Sequence, residues 1–323
     1  MLVQQNCLVT ITDLPNETLS AVFQYLPPRT LAVIARISYR LRGAAERQLY
    51  SSVCLTDVLS ESSPAPHKTL RWCKSMHQRL YLGESTKRLK IRWRADHGTP
   101  PSHHLRNACS HIAGILRFLI YLESLEIFLG PANFASCPHD DPMHAVERAI
   151  HGCRLPLLRN CSLGAEWTKG AQPYTDILTS FLVSLPTLRH LKLADHHTAF
   201  TGKSGLPTGA IPHLASFRGS ADAAAALLPG RPVQVLSLIG QDSDVNRENL
   251  PRMMYTTVPL RHLDLSSMSV RPLLLRNIST HLSTVEILTV RLALRHTLHY
   301  AFSGIVSSCS SYGMLFFFLF WFC

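Results

Sequence analysis

The first strongly periodic stretch of the chain is a helical one near its start. Leu19, Val22, Phe23 and Leu26 follow the i, i+3, i+4, i+7 spacing that gives a helix one apolar side. Pro27-Pro28 comes directly afterwards, and it ends the helix because proline has no backbone N–H to donate. The pattern therefore predicts a short amphipathic helix followed by a tight turn.

Two further helices are predicted after that turn. Thr30 is expected to cap the second helix. Its apolar side would consist of Leu31, Ile34, Ala35 and Ile37. The third helix runs over residues 39–50 and turns Leu41, Ala45 and Leu49 inward. Three helices in about forty residues bury little core, so we expect apolar surface that a partner would cover.

The pattern changes beyond residue 60. Residues 60–66 are rich in Ser and Pro and read as a linker, and residues 67–82 are helical. Residues 89–93 then alternate apolar and basic side chains with period two, which predicts a first strand.

A short motif, Leu-x-x-Leu-x-Leu or a weaker form of it, recurs through the remainder. Its copies lie at 122–127, 157–163, 185–193, 212–217, 233–238, 259–265 and 282–288. Helical candidates lie between them at 142–153, 174–185 and 220–228. The alternation predicts an irregular α/β solenoid with a parallel sheet. A doubly wound α/β sheet is the alternative, although it lacks such a recurrent strand entry.

The N-terminal pattern resembles the F-box, a short helical module. The resemblance rests on Leu14-Pro15-x-Glu17, on the Pro27-Pro28 turn, and on Ile37-Ser38 followed by Leu41. It implies docking on a Skp-type adaptor and, through that adaptor, on a cullin-RING ubiquitin ligase. The adaptor-facing residues would be Leu14, Pro15, Leu19, Val22, Leu26, Leu31, Ile37 and Ser38. The family often has Trp near the start of the third helix, where this chain has Leu41.

The recurrent strand motif resembles the leucine-rich repeat, and the combination resembles F-box receptors of the fungal type. The expected fold class is α + α/β, a three-helix F-box followed by an irregular leucine-rich-repeat-like solenoid. The expected parts are an F-box at 10–55, a connector at 56–85, a repeat domain at 86–302 and an apolar tail at 303–323. By the resemblance, the repeat domain would hold a target protein of unknown identity, and no residue would be catalytic.

The tail differs from the rest of the chain. Residues 314–322 are all apolar and mostly Phe, a run too short to cross a bilayer. A membrane anchor that includes the preceding Ser-rich residues is one interpretation. A truncated array with a non-native end is the other, because repeat arrays usually end in a polar cap.

Composition indicates a folded protein, with 46% apolar residues among 323. The first residues are neither basic nor continuously apolar, so no secretory leader is expected. Nine cysteines without a Cys-x-x-Cys pair are typical of reduced thiols. These features together predict a cytoplasmic or nuclear protein.

The net charge of +11 comes largely from residues 68–94, which hold nine Lys or Arg and one acid, Glu84. A nucleic-acid surface has this character, and Trp72 and Trp93 could stack on bases. The alternative function is accordingly that of a basic binding protein, associated with nucleic acid or membrane and without a ligase role. The solvated side of a first strand explains the charge more simply, because no nucleic-acid motif accompanies it.

Two other patterns suggest chemistry only superficially. Residues 201–205 read Thr-Gly-Lys-Ser-Gly, but a phosphate-binding loop requires Gly at the position that His197 occupies. A second group has the residue types of a zinc site without its usual spacing. It consists of Cys137, His139, His144, His151 and Cys153. No catalytic residue, cofactor or metal is therefore predicted.

Overall fold

The computed structural model describes most of the chain. The described residues are 11–96, 103–133, 143–166, 174–194, 206–207, 209–246, 248–282, 284–291 and 315–319. The Lys203 loop at 201–205, Cys137, His139 and most of the tail lie outside these residues.

Three short helices form the N-terminal part, called here the helical module (residues 11–51). They are α1 (Asn16–Phe23), α2 (Pro28–Ile37) and α3 (Tyr39–Ser51). Helix α3 contacts both α1 and α2. The buried core consists of Leu19, Phe23, Leu31, Leu41, Ala44 and Ala45. The sequence prediction of a three-helix unit with a turn at Pro27-Pro28 is confirmed.

One detail of the predicted helices is wrong. Thr30 is not the cap of α2, because the helix already begins at Pro28, where proline's fixed φ is favourable at the first position. Ile37, which the sequence pattern places on the apolar side of this helix, is 67% exposed. Ser38 instead caps α3, and its hydroxyl accepts the Leu41 N–H at 3.1 Å.

The described strands form one ten-stranded, all-parallel sheet whose strand order follows the sequence. The first five are β1 (Ser52–Leu59), β2 (Arg88–Ala95), β3 (Ser124–Phe128), β4 (Asn160–Gly164) and β5 (His190–Leu193). The others are β6 (Ser216–Gly219), β7 (Val235–Gln241), β8 (His262–Ser269), β9 (Ile287–Arg291) and β10 (Leu315–Leu319). The order does not reverse at any described strand, as a doubly wound sheet would require.

Helices connect most of these strands. They are α4 (His67–Gln78), α5 (His103–Leu116), α6 (Ala145–Ile150), α7 (Asp176–Val183), α8 (Ala221–Leu227), α9 (Asn249–Met253) and α10 (Pro272–His281). Successive helices contact one another from α4 to α7 and from α8 to α10. A parallel strand pair requires such a crossover, and here each one leads to the adjacent strand.

The alternation along each strand gives the sheet two different faces. On β2, Leu89, Ile91 and Trp93 are buried, while Arg94 points the other way and is exposed. The buried side chains of the strands join those of the helices in one continuous core. The opposite side, called here the open face, carries no helix in the described part of the chain and is mostly polar.

Every predicted strand segment contains a strand, and each of the three predicted helical segments contains a helix. Strand β1 was not among the predicted strands. It also crosses the expected boundary between the F-box and the connector, at residues 55 and 56. Residues 315–319 of the tail pair in parallel with β9. None of the helices in the described part of the chain has the length and apolar content needed to span a bilayer.

Candidate functional site

The surface of the helical module is unusually apolar for so small a unit. Val22 is 44% exposed, Val33 59% and Ile37 67%. Two tyrosines are still more open, with Tyr25 at 82% and Tyr39 at 89%. We call these five residues the apolar surface of the module. Large exposed apolar groups on a soluble domain are typical of a site that another protein covers.

The structure separates the eight residues that the F-box resemblance selects. Pro15, Val22 and Ile37 are exposed and available to a partner. Leu19 and Leu31 lie in the core of the module, 0% and 3% exposed.

The remaining three support the surface from within. Leu14 and Leu26 are half-buried and pack against the core of the module. Ser38 is half-buried and engaged as the cap of α3. Contact of any of the eight with an adaptor remains a prediction.

Sequence reasoning missed Tyr25, Val33 and Tyr39 as surface residues. Val33 and Ile37 are four residues apart and lie on one side of α2, whereas Tyr25 lies in the turn just after α1. The signal is present on α2, because this pair forms a second apolar stripe beside Leu31 and Ile34, which contribute to the core. A helix with two apolar stripes indicates a buried side and a binding side.

A charged contact fixes the module to the sheet domain. Glu46 of α3 is buried, and one carboxylate oxygen accepts a hydrogen bond from Arg79 Nη1 at 2.6 Å. The other oxygen accepts from the Tyr81 hydroxyl at 2.7 Å. Arg79 and Tyr81 belong to the turn after α4, so this triad, which we call the junction, holds α3 against the next element. Both carboxylate oxygens are used, as burial of a charge requires.

The junction changes the acidity of Tyr81. Its hydrogen bond to the Glu46 carboxylate raises the pKa of the phenol, and burial adds to the increase. The Arg79 cation opposes it. A phenol that donates to a carboxylate keeps its proton because ionisation would bring two negative charges together.

The basic stretch at 68–94 is divided between two sides of the protein. Lys68, Arg71 and Lys74 lie on α4, while Arg92 and its alternating neighbours on β2 lie on the open face. The proposed stacking residues do not reach the surface, because Trp72 is 6% exposed and Trp93 is 0% exposed. That part of the nucleic-acid interpretation is wrong, because Trp93 lies on the inward side of β2 and Trp72 on the buried side of α4.

The described members of the proposed metal group have structural roles. The His144 ring is buried, accepts the Val146 N–H at 3.1 Å through Nδ1, and stacks on Tyr174 at 3.9 Å. His151 is exposed, whereas Cys153 is buried. Within the described ranges, no three His, Cys, Asp or Glu side chains are grouped closely enough to hold a metal ion.

The buried cysteines are unreactive in their surroundings. Burial raises the pKa of Cys73, Cys109, Cys153 and Cys161 to about 12. A thiol with so high a pKa is not a nucleophile at neutral pH. Cys54 differs, since it is exposed on β1.

Comparison with known proteins bears on the helical module. No curated protein matches the chain to a significant degree. A match to the family described as F-box-like covers residues 11–56, which include the three helices, the apolar surface and the start of β1. Residues 11–56 of this chain are therefore an F-box-like domain.

Proposed function

We propose that this protein is a substrate receptor of a ubiquitin ligase of the Skp–cullin–F-box type. Its F-box-like domain would dock on a Skp-type adaptor, and the adaptor would connect it to the cullin and the RING subunit. The protein itself would be non-enzymatic, and it would act in the cytoplasm or nucleus, where such ligases meet their targets.

The observation that carries the proposal is the apolar surface of the module. Val33 and Ile37 project from one side of α2, and Tyr25 follows α1. Several large apolar side chains of the module lie outside its core and are exposed. A helical partner with an apolar groove would bury them and so stabilise the module. That property fits the F-box-like match over the same residues.

The sheet would supply the second half of the function. We propose that residues 52–291 form a leucine-rich-repeat-like solenoid that presents its open face to a target protein. Sequential parallel strands and serial helix contacts support this arrangement. A recurring backbone hydrogen bond supports it as well. The N–H of the first residue of one strand donates to the carbonyl oxygen of the residue that precedes the previous strand. Asn160 N with Glu123 O at 3.1 Å and His190 N with Arg159 O at 3.0 Å are examples.

Co-expression with a Skp-type adaptor tests the proposal. The wild-type chain should co-purify with the adaptor, and Val33→Asp with Ile37→Asp should abolish the complex because charge enters an apolar interface. Both positions are exposed, so the double variant should fold. Val58→Asp is the matched control, since Val58 is 56% exposed on β1, outside the apolar surface.

Failure of the wild-type protein to co-purify would overturn the receptor function. Equal loss in the Val58→Asp control would overturn the assignment of the surface. A second variant, Leu14→Ala with Pro15→Ala, examines the start of the module and should weaken the complex without unfolding the sheet.

A further inference from the structure

Positive charge gathers at one place on the open face, although its members are distant in the chain. The strand register aligns Lys90, Glu126, Ser162, Lys192 and Arg218 in one row across β2 to β6. Arg92 lies two residues beyond Lys90 on the same side of β2. Lys90, Arg92, Lys192 and Arg218 are called here the cationic patch.

The patch is only partly neutralised from within. Lys90 Nζ is 2.8 Å from a Glu126 carboxylate oxygen, and Arg92 Nη2 is 3.2 Å from the other. Glu126 thus pairs with two of the four cations, and Arg218 also interacts with the Asp264 carboxylate, two strands further on in β8. The Lys192 ammonium makes no ion pair or hydrogen bond with any described residue, and Arg218 Nη2 donates to the Ser267 hydroxyl at 2.7 Å.

Two further signs show that these cations are incompletely compensated. Burial lowers the pKa of Lys192, and Arg218, Arg92 and Lys90 add repulsion that Glu126 only partly offsets. The Nε–H groups of Arg92 and Arg218 are buried and have no hydrogen-bond partner among the described residues. Buried charged donors without a partner are rare because their desolvation is costly.

The row borders a depression of about 260 Å³. Its polar lining includes Glu126, Asn160, Ser162, His190, Lys192 and Arg218. The amide, hydroxyl and imidazole groups add further hydrogen-bonding groups around the cations. A carboxylate placed here would meet Lys192 and Arg218 as charge-assisted partners, with polar side chains beside them.

We propose that the cationic patch binds a carboxylate-rich, extended segment of a protein partner. That this segment belongs to the receptor's target rests on the proposed function. The existence of a binding site for acidic peptide does not. Charge complementarity selects an acidic occupant. A peptide fits better than nucleic acid, because Glu126 interrupts the row of cations, and separated carboxylates can avoid it whereas a continuous phosphate backbone cannot. The tryptophans that could stack on bases are in the core.

Fluorescence anisotropy of the full chain tests the site. The probe is a fluorescein-labelled peptide that alternates Glu and Gly. Lys192→Gln with Arg218→Gln should weaken its binding by at least about tenfold. Arg71→Gln with Lys74→Gln is the control, because it removes the same charge from exposed positions on α4. Its peptide affinity should stay within about twofold of the wild-type value, since salt screens charges that lie far from the bound peptide.

Competing probes decide the chemistry of the ligand. A phosphoserine peptide of equal charge and a single-stranded DNA of equal length are titrated in parallel. Tightest binding by the Glu peptide, lost in the Lys192/Arg218 variant, supports the proposal. The proposal is overturned if the two double variants bind the Glu peptide with equal affinity. It is also overturned if only the phosphoserine peptide or only the DNA loses binding when the patch is changed.

Adaptor capture separates this proposal from the proposed function. The Lys192→Gln, Arg218→Gln variant should still co-purify with the Skp-type adaptor. Loss of peptide binding with intact capture assigns the site and leaves the receptor function standing. Peptide binding by a chain that fails to capture the adaptor would keep the site and reject the receptor function.

Discussion

The helical module and the open face of the sheet domain expose different kinds of side chain. The module has a core of six buried residues and leaves Tyr25, Tyr39 and Ile37 largely in solvent. The sheet domain has one core that continues from Leu59 to Val290, while its central strands present mainly polar and charged side chains on the open face. The candidate binding surface of the first region is therefore apolar, and that of the second is polar and charged.

The difference indicates two kinds of recognition in one chain. An apolar surface on a marginal module favours a permanent partner, because burial stabilises both proteins. A charged row on a well-packed sheet favours selection by charge and rapid exchange. The apolar surface of the module therefore suits a constant partner such as an adaptor. The charged row of the sheet suits targets that bind and leave in succession.

The largest expected effect is on the sheet domain and comes from Trp93→Ala. Trp93 is fully buried, and its indole N–H donates to Thr69 Oγ1 at 3.0 Å. Loss of the ring should lower the free energy of unfolding by about 3–5 kcal/mol, measured by denaturant titration. Arg94→Ala, next to it on the open face, is the control and should change it by less than about 0.5 kcal/mol.

A matched pair of leucine truncations sharpens the comparison. Leu19→Ala removes a core residue of the module and should reduce stability by about 2–3 kcal/mol, enough to abolish adaptor capture. Leu191→Ala makes the same change in the sheet, where Leu191 is 2% exposed, and should leave capture intact. Capture that survives Leu19→Ala would contradict the view that the module is marginal.

Sequence pattern predicted the sheet well and the sites less well. Strands such as β3 and β8 were found because Leu alternates with polar residues at period two. Strand β1 was missed because Ser52 follows the last residue of α3 with no turn residue to separate them. Periodicity marks a strand, but it does not mark where a helix passes directly into one.

The surfaces depended on information that one sequence does not contain. Val22 and Leu19 are both apolar on α1, and only the packing of α3 decides that Leu19 is buried and Val22 exposed. Lys90 and Arg218 are far apart along the chain, and only the strand register aligns them. Local pattern identifies such residues without revealing their neighbours.

The junction should have a smaller effect that links the two regions. Glu46→Gln weakens the bonds to Arg79 and Tyr81 and should reduce stability by about 1 kcal/mol, since Arg79 is 45% exposed and partly screened. Adaptor capture should persist, because Glu46 is not on the apolar surface. Chemical denaturation with and without the adaptor measures the effect, and Arg47→Gln, an exposed change on the same helix, is the control.

The pH dependence of the junction follows from Tyr81. Its pKa is raised in the folded protein, so its contribution to stability is present below the ordinary phenol value and is lost as pH rises through the folded pKa. Glu46→Gln should lower the pKa of Tyr81 toward its ordinary value. The pH titration of phenolate absorbance measures this pKa, and subtraction of the same titration for Tyr81→Phe isolates the contribution of Tyr81. An unchanged titration in Glu46→Gln would show that the hydrogen bond is not the cause of the raised pKa.

The smallest expected effect is at the far end of the sheet. Arg261 Nε is 3.7 Å from a Glu286 carboxylate oxygen, and both side chains are more than half exposed. Arg261→Gln should change stability by less than about 0.5 kcal/mol, measured by the same denaturant titration. A loss comparable to that of Trp93→Ala would mean that the surface charges of the sheet contribute more than its packing.

The sequential order of the strands has a consequence for how such a chain varies over time. Each described strand pairs only with the strands immediately before and after it in the sequence. Deletion or duplication of one strand and its helix would therefore disturb two pairings and leave the others as they were. The open face could lengthen, shorten or change its charged row by single units, while the docking module at the N-terminus stayed the same.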